Sequence, residues 1–322
     1  MTQATGSRSQ LVFWEESAFG VLPGSPTVHG LRFTSESLAT EINKFESEEI
    51  RSDRMVQTIL GGNIRPAGDI NWELSPEGLN TLLKHGLGIP VSTTGSGPYT
   101  HVIEGTNALP VSFGVEKGFT DIDQYFRFYG CRINQFTLTF PQEGLITGTY
   151  SIIARQPFES VTPLDATPTY AGKDPYTSYE ATLYVGDDQS NLVAVGVCTQ
   201  IEMTVENNIR DDQFVIGSRY RYNAPEGKRR VTGNFTVFFE DREFYDAYIQ
   251  ETQRSLRIIV NNGVGDSHTI DLPQLQYAGS PAPTPQIPDD GPITLSVPFQ
   301  TERYAPWNTD IRVTVVNDES SI

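Results

Sequence analysis

EIRSDR (Glu49–Arg54) followed by GDINWELSPEGLNTLL (Gly68–Leu83) returns about 160 residues later as NIRDDQ (Asn208–Gln213) followed by GNFTVFFEDREFYDAYI (Gly233–Ile249). In each copy a charged Ile-Arg-X-Asp segment precedes a glycine, three alternating apolar residues and a cap-type residue that opens an amphipathic helix. The apolar triplets are Ile70, Trp72, Leu74 and Phe235, Val237, Phe239. Alternation with a period of two turns one face of a strand to a core and the other to solvent or a partner. A unit repeated at this spacing reads as two copies of one domain joined head to tail.

The length of 322 residues fits two domains, each long enough to bury its own core. Aromatics make up 11% of the chain, with 28 Gly and 21 Pro, a balance that favours short strands and turns over helical bundles. Forty acidic against 23 basic residues give a net charge of −17. That argues against a surface that grips DNA, because affinity for phosphates comes from Lys and Arg. Cys131 and Cys198 stand at non-equivalent places in the two repeats, so no disulfide framework is expected. The N-terminal residues have no long apolar run behind a basic region, and neither a secretory signal nor a membrane span is expected.

Residues 1–27 read as an irregular arm broken by Gly20, Pro23, Gly24 and Pro26, with Leu11, Phe13, Trp14 and Phe19 as apolar anchors for a neighbour or for the chain's own domain. A first domain is expected over 28–160. Within it Leu38, Thr40 and Ile42 alternate, a strand covers 67–74, and Ser75 and Pro76 open a short helix ended by Gly86, with Leu79, Leu82 and Leu83 on its core side. VSFGVEK (111–117) and QYFRFYG (124–130) read as strands, followed by a hairpin with Phe136, Leu138 and Phe140 on one arm. The Pro-rich stretch 161–177 reads as a linker, and a second domain is expected over 178–322. There Ile201, Met203 and Val205 alternate, Asp241 caps a helix bearing Phe244, Tyr248 and Ile249, and 293–299 is the final strand. The loop 279–291 is too rich in proline for a central strand, and the acidic tail VVNDESSI is expected to fray.

Signatures of catalysis are sparse. His29, His85, His101 and His268 lie far apart and none sits in a metal-ligand pattern, so no metal or other cofactor is expected. Asp121 and Asp123, like Asp187 and Asp188, read as turn residues and not as a calcium loop. What stands out is the strand face opposite the apolar residues. It comprises Glu41 and Asn43; Asp69, Asn71 and Glu73; Gln135, Thr137 and Thr139; and Thr147, Thr149 and Ser151. The second copy adds Glu202, Thr204 and Glu206, then Asn234 and Thr236, then Thr294 and Ser296. These eighteen positions hold no Lys or Arg. A wall that must let a polyanion slide past needs that absence, because each cation would form a charge-assisted bond to a phosphate.

LVFWEESAFGVLPGSP, SEEIRSDR with GDINWELSPEGLNTLLKHGLG, and GKRRVTGNFTVFFEDREFYDAYI together resemble the tail tube proteins of long-tailed bacteriophages, in the variety with duplicated tube domains. The resemblance implies an all-β-dominated fold: two tandem β-sandwich domains with short flanking helices, contributing to the inner β-barrel of a ring. It implies rings stacked into a hollow tube in the virion tail, assembled in the host bacterial cytoplasm, with no catalytic residues. Six single-domain subunits close a ring in such proteins, so two domains per chain imply homotrimeric rings, with a hexamer as the alternative. Other tail proteins would meet the tube ends, double-stranded DNA would pass the lumen without specific binding, and no membrane is involved. The eighteen polar residues are then the lumen-facing set. Glu46, Glu48, Glu49, Arg51, Asp53, Arg54, Arg210, Asp211 and Asp212 are assigned to contacts between rings. A carbohydrate- or receptor-binding tail component is the alternative reading, and a polysaccharide-cleaving enzyme a third.

Overall fold

The computed structural model describes every residue except 1, 2, 51, 53, 54, 57, 106, 107, 280, 288 and 289. The first half of the chain forms β1 (Ser9–Glu16), β2 (His29–Gly30), β3 (Ser35–Glu36), β4 (Ala39–Glu46), β5 (Ile59–Glu73), helix α1 (Asn80–Leu87), β6 (Val91–Thr94), β7 (Tyr99–Glu104), β8 (Ser112–Phe119), β9 (Gln124–Phe140), β10 (Thr147–Ile153) and β11 (Gln156–Ser160). The second half forms β12 (Ala181–Gly186), β13 (Val193–Ala194), β14 (Cys198–Glu206), β15 (Arg230–Phe238), helix α2 (Glu243–Ile249), β16 (Arg254–Asn261), β17 (Ser267–Tyr277), β18 (Thr294–Thr301) and β19 (Arg312–Asn317).

The pairing repeats as the sequence does. β1 pairs with β2 and β8, β8 with β9, β9 with β10 and β11, β10 with β5, and β5 with β4. In the same order β12 pairs with β13 and β16, β16 with β17, β17 with β18 and β19, β18 with β15, and β15 with β14. Each half is thus built around a long central strand, β9 or β17, against which its helix packs. The halves are stitched together twice, by β9 with β14 (Phe140↔Ile201 to Gln135↔Glu206) and by β7 with β19.

Alternation places the core as expected: Ile70, Trp72, Leu74, Phe235 and Val237 are all buried. Trp72 stacks on Tyr150 with ring centroids 4.9 Å apart. Gly148 faces Trp72 across the ladder, and a Cβ there would lie 2.3 Å from the indole, so the large ring is accommodated by the absence of a side chain opposite it. β9 leaves one sheet for the other at Gly130, whose φ of +65° suits glycine. The buried Glu16 carboxylate secures this corner, accepting bonds from the backbone N–H groups of Gly20 (2.8 Å) and Gly130 (3.1 Å) and from the Ser112 hydroxyl (2.6 Å). Burial raises the pKa of Glu16.

Several expectations give way. The arm 1–27 contains β1, in register with β8 over all eight residues, and Leu11, Val12, Phe13 and Trp14 are buried in the chain's own core. Helix α1 begins at Asn80, not at Ser75, because Gly78 adopts φ +86° and its N–H is held by Glu319. Gly86 lies within that helix, close against the Phe136 ring, and Gly88 ends it. β4 is exposed along nearly its whole length, Ile42 included, so its alternation faces no core in the single chain. Ile249 likewise points to solvent. The strand at 293–299 is not the last, because β19 follows with Val313 and Val315 buried. The tail is pinned and not frayed: Glu319 accepts from Gly78 and Asn80, and Lys84 donates to the carbonyl of Ile322 (2.9 Å). The connector 161–177 is anchored at Tyr176, which exchanges backbone bonds with Leu74 and Ile146.

Candidate functional site

The strand register brings most of the polar set onto one continuous surface spanning both halves. Across β5, β10, β9, β14 and β15, one row reads Glu73, Thr147, Thr139, Glu202, Asn234. The next reads Asn71, Thr149, Thr137, Thr204, Thr232, and a third Asp69, Ser151, Gln135, Glu206. On β15 and β18, Thr236 stands opposite Ser296 and Thr294 opposite Phe238. None of the eighteen expected residues is buried, while their neighbours along each of these strands from β5 to β18 pack inward. Glu41 belongs to the same face, opposite Arg65, whereas Asn43 falls at a register shift in β4.

The side chains on this surface bond to one another along the rows. Thr149 donates to Asn71 Oδ1 at 2.6 Å, Ser151 to Asp69 at 2.6 Å and Ser296 to Asn234 Oδ1 at 2.6 Å. Asn71 in turn donates to the Ser35 hydroxyl at 2.8 Å. Hydroxyls committed to neighbouring carboxylate and amide oxygens leave the face with acceptor and anionic groups outward, which attract no phosphate. The surface is not wholly without cations. Arg230 stands opposite Glu206 at the start of β15, and Arg65 opposite Glu41 on β5. Both lie just before the glycine that opens each alternating stretch, Gly68 and Gly233, where the sequence gives no sign that the strand already runs. Arg65 is also drawn aside, lying 3.5 Å from Asp211 and over the ring of Phe214.

The nine residues assigned to contacts between rings divide in two. Glu46, Glu48 and Glu49 are exposed on the protruding β4–β5 hairpin, while Arg51, Asp53 and Arg54 lie outside the described residues. Arg210, Asp211 and Asp212 are exposed on the β14–β15 connection, which folds back against the base of β5. The buried Arg221 holds it there, donating to the Asp211 carbonyl (2.9 Å), to Pro66 O (3.2 Å) and to Ala154 O. The second copy of the Ile-Arg-X-Asp segment is thus folded down against the first half.

The remaining titratable groups carry structure. His85 bonds Glu15 at 3.0 Å, His101 contacts Thr93, and the buried His268 lies 2.9 Å from Asn80 Oδ1. Among the described residues no group of His, Cys, Asp and Glu is placed to hold a metal ion, and both cysteines are free. Asp187 pairs with Arg254 and Asp188 accepts from Ser190 and Asn191, as turn residues do. Among the described residues no helix is long and apolar enough to cross a membrane. A family model described as phage tail tube protein matches residues 6–301, nearly the whole chain. No curated protein matches.

Proposed function

We propose that this chain, which belongs to the phage tail tube protein family, polymerises into stacked rings whose channel conducts double-stranded DNA out of the virion, with the polar sheet face turned toward that channel. Family membership puts the protein in the virion tail as a structural component. The observation that carries the finer reading is the strip of acidic, amide and hydroxyl side chains running unbroken across β5, β10, β9, β14 and β15, both halves together. A half that repeats the pairing order of the other is the natural equivalent of one subunit in a six-unit ring. Three chains then close it, with units reaching to 160 and from 178 and the connector 161–177 between them. On this reading assembly takes place in the host cytoplasm. The contacts between rings are assigned to the β4–β5 hairpin and the segment around Arg210 to Asp212, both exposed in the single chain.

The alternative of a glycan-binding component calls for a contiguous aromatic platform, and the most exposed aromatics, Phe45, Phe158, Tyr179 and Tyr222, lie on separate segments. The test of the channel assignment is Glu73→Lys with Glu202→Lys. Both side chains are solvent-facing, so folding and assembly are expected to persist while genome ejection slows. Normal ejection from particles that incorporate the variant would remove the assignment.

A further inference from the structure

In the first half β9 fills the place between β10 and β14, pairing with β10 from Arg132 to Thr139 and with β14 from Gln135 to Phe140. Its counterpart in the second half, β17, pairs with β18 only over Leu275–Tyr277, and Gly279, at φ +114°, turns the chain away. The connection to β18 spans 278–293, against 141–146 between β9 and β10. The far edge of β18 is therefore left without a strand. Two bonds fix which groups face it: Phe239 donates to the Ile293 carbonyl on the β15 side, and Ala278 to the Pro298 carbonyl on the other. Alternation puts the backbone groups of Thr294 and Ser296 on that other side with Pro298. Among the described residues no strand pairs with them there.

What lies there is a proline-rich segment. Pro281, Pro283 and Gln286 face Thr294, Ser296 and Pro298 across a cleft, and Pro283 is buried. Proline has no N–H to give to a ladder. If the alternation that Ala278 begins on Pro298 is continued, Pro281, Pro283 and Pro285 all fall on the edge turned away from β18. In the other half that is the edge by which β9 receives β14. Prolines at alternate positions strip such an edge of its donors, a device that keeps sheets from adding further strands.

The strand this edge would otherwise accept is identified by the internal repeat. β14 pairs with β15 on one side and β9 on the other, whereas its counterpart β4 pairs with β5 alone. β4 thus lacks a neighbour of the β9 kind, and the β18 end of the sheet lacks one of the β14 kind. In a ring of repeated halves these two open edges face each other across the boundary between copies.

We propose that the segment around Pro281, Pro283 and Pro285 is an edge guard against β4 of a second copy. It stops that strand from adding by backbone pairing, so the boundary between copies is built from side chains where the boundary between halves is a ladder. The inference rests on the tube reading and adds that a ring alternates two kinds of boundary. It also gives the free chain a means of resisting sheet-to-sheet association before a ring is assembled.

The test compares, by sedimentation, the lowest concentration at which three proteins self-associate: wild type, a triple variant (Pro281→Thr, Pro283→Thr and Pro285→Thr), and the triple variant with Ser296→Pro added. Threonine returns the donors and favours strand. Ser296→Pro removes the N–H along which the segment would pair with β18, at a position where, as at Pro298, the β15 ladder loses no donor. The triple variant is expected to associate at a concentration at least tenfold lower than wild type, and Ser296→Pro to return that threshold to the wild-type value. A triple variant that associates only where wild type does, or whose association Ser296→Pro leaves unchanged, would overturn the guard. Should the triple variant lose its β-sheet circular dichroism, the single variant Pro281→Thr, at an exposed position, decides instead: a lower threshold supports the guard and an unchanged one overturns it. Negative-stain images of concentrated wild type judge the tube reading separately. Absence of tubes there refutes that reading, while the guard is decided by the comparison of thresholds.

Discussion

His268 is fully buried, with its Nε2–H aimed at Asn80 Oδ1 (2.9 Å) and the Tyr176 hydroxyl 3.4 Å from its other nitrogen, so it joins β17 to the start of α1 and to the connector. Burial lowers its pKa to about 4 from an ordinary 6.5. The unfolded chain takes up this proton below 6.5 and the folded chain does not, so stability present above 6.5 is lost as the pH falls toward 4. At about 1.4 kcal/mol per pH unit the loss reaches roughly 3 kcal/mol. Urea midpoints of wild type and His268→Phe at pH 7 and pH 4.5 check this: the pH-dependent drop is expected to be smaller in the variant, and an equal drop would assign it elsewhere. Gly148 offers a second residue-scale test. Replacing it with Val forces a side chain into the space the Trp72 indole occupies, and overpacking of this kind costs about 1–3 kcal/mol, read as a lower thermal midpoint. The apolar triplets around Trp72 and Phe235 were legible from alternation alone. The histidine pin was not, because its partner Asn80 is 188 residues away and nothing local marks the pair.

Among the elements, the sequence concealed several, β7, β12 and β17 with β1 and β19. β1 was masked by the glycines and prolines that follow it, and five successive buried positions, Gln10 to Trp14, lack the alternation of a half-exposed strand. β19 was hidden in what reads as an acidic tail, although its alternate valines are buried. The consequence for deletion is direct. Removing residues 1–27 takes Leu11, Val12, Phe13 and Trp14 from the core, at about 1.5–3 kcal/mol for each buried apolar side chain. The sum rivals the whole stability of a typical domain, about 5–15 kcal/mol. The truncated chain is expected to be insoluble or unfolded by circular dichroism, and a folded, merely assembly-defective protein would restore the reading of this segment as an arm. β4 was read correctly as an element and wrongly as half-buried. Its register with β5 leaves Ile42 and Phe45 in solvent, the exposure of an edge strand that the proposed ring would cover with another copy.

For the whole molecule, the order of strand pairing recurs between the halves, and the polar residues share one surface because that surface is the complement of the apolar alternation. The two arginines at the margins of that face, Arg65 and Arg230, and the folding of the segment around Asp211 against β5 depend on how the halves pack together, which periodicity does not encode. The seam between β9 and β14 matters most here, since it turns two similar sheets into one wall. Breaking it with Thr137→Pro is expected to abolish ring formation, because proline in a central strand removes a ladder donor. Soluble rings of unchanged size in sedimentation would argue against the seam. The central claim, that this wall lines a channel, is tested most directly by cryo-electron microscopy of the assembled protein at side-chain resolution. The expected map is a tube of stacked three-chain rings with Glu73, Thr149, Thr137, Thr204 and Asn234 facing the lumen; a map with those residues on the outer surface, or particles with no axial channel, would contradict it.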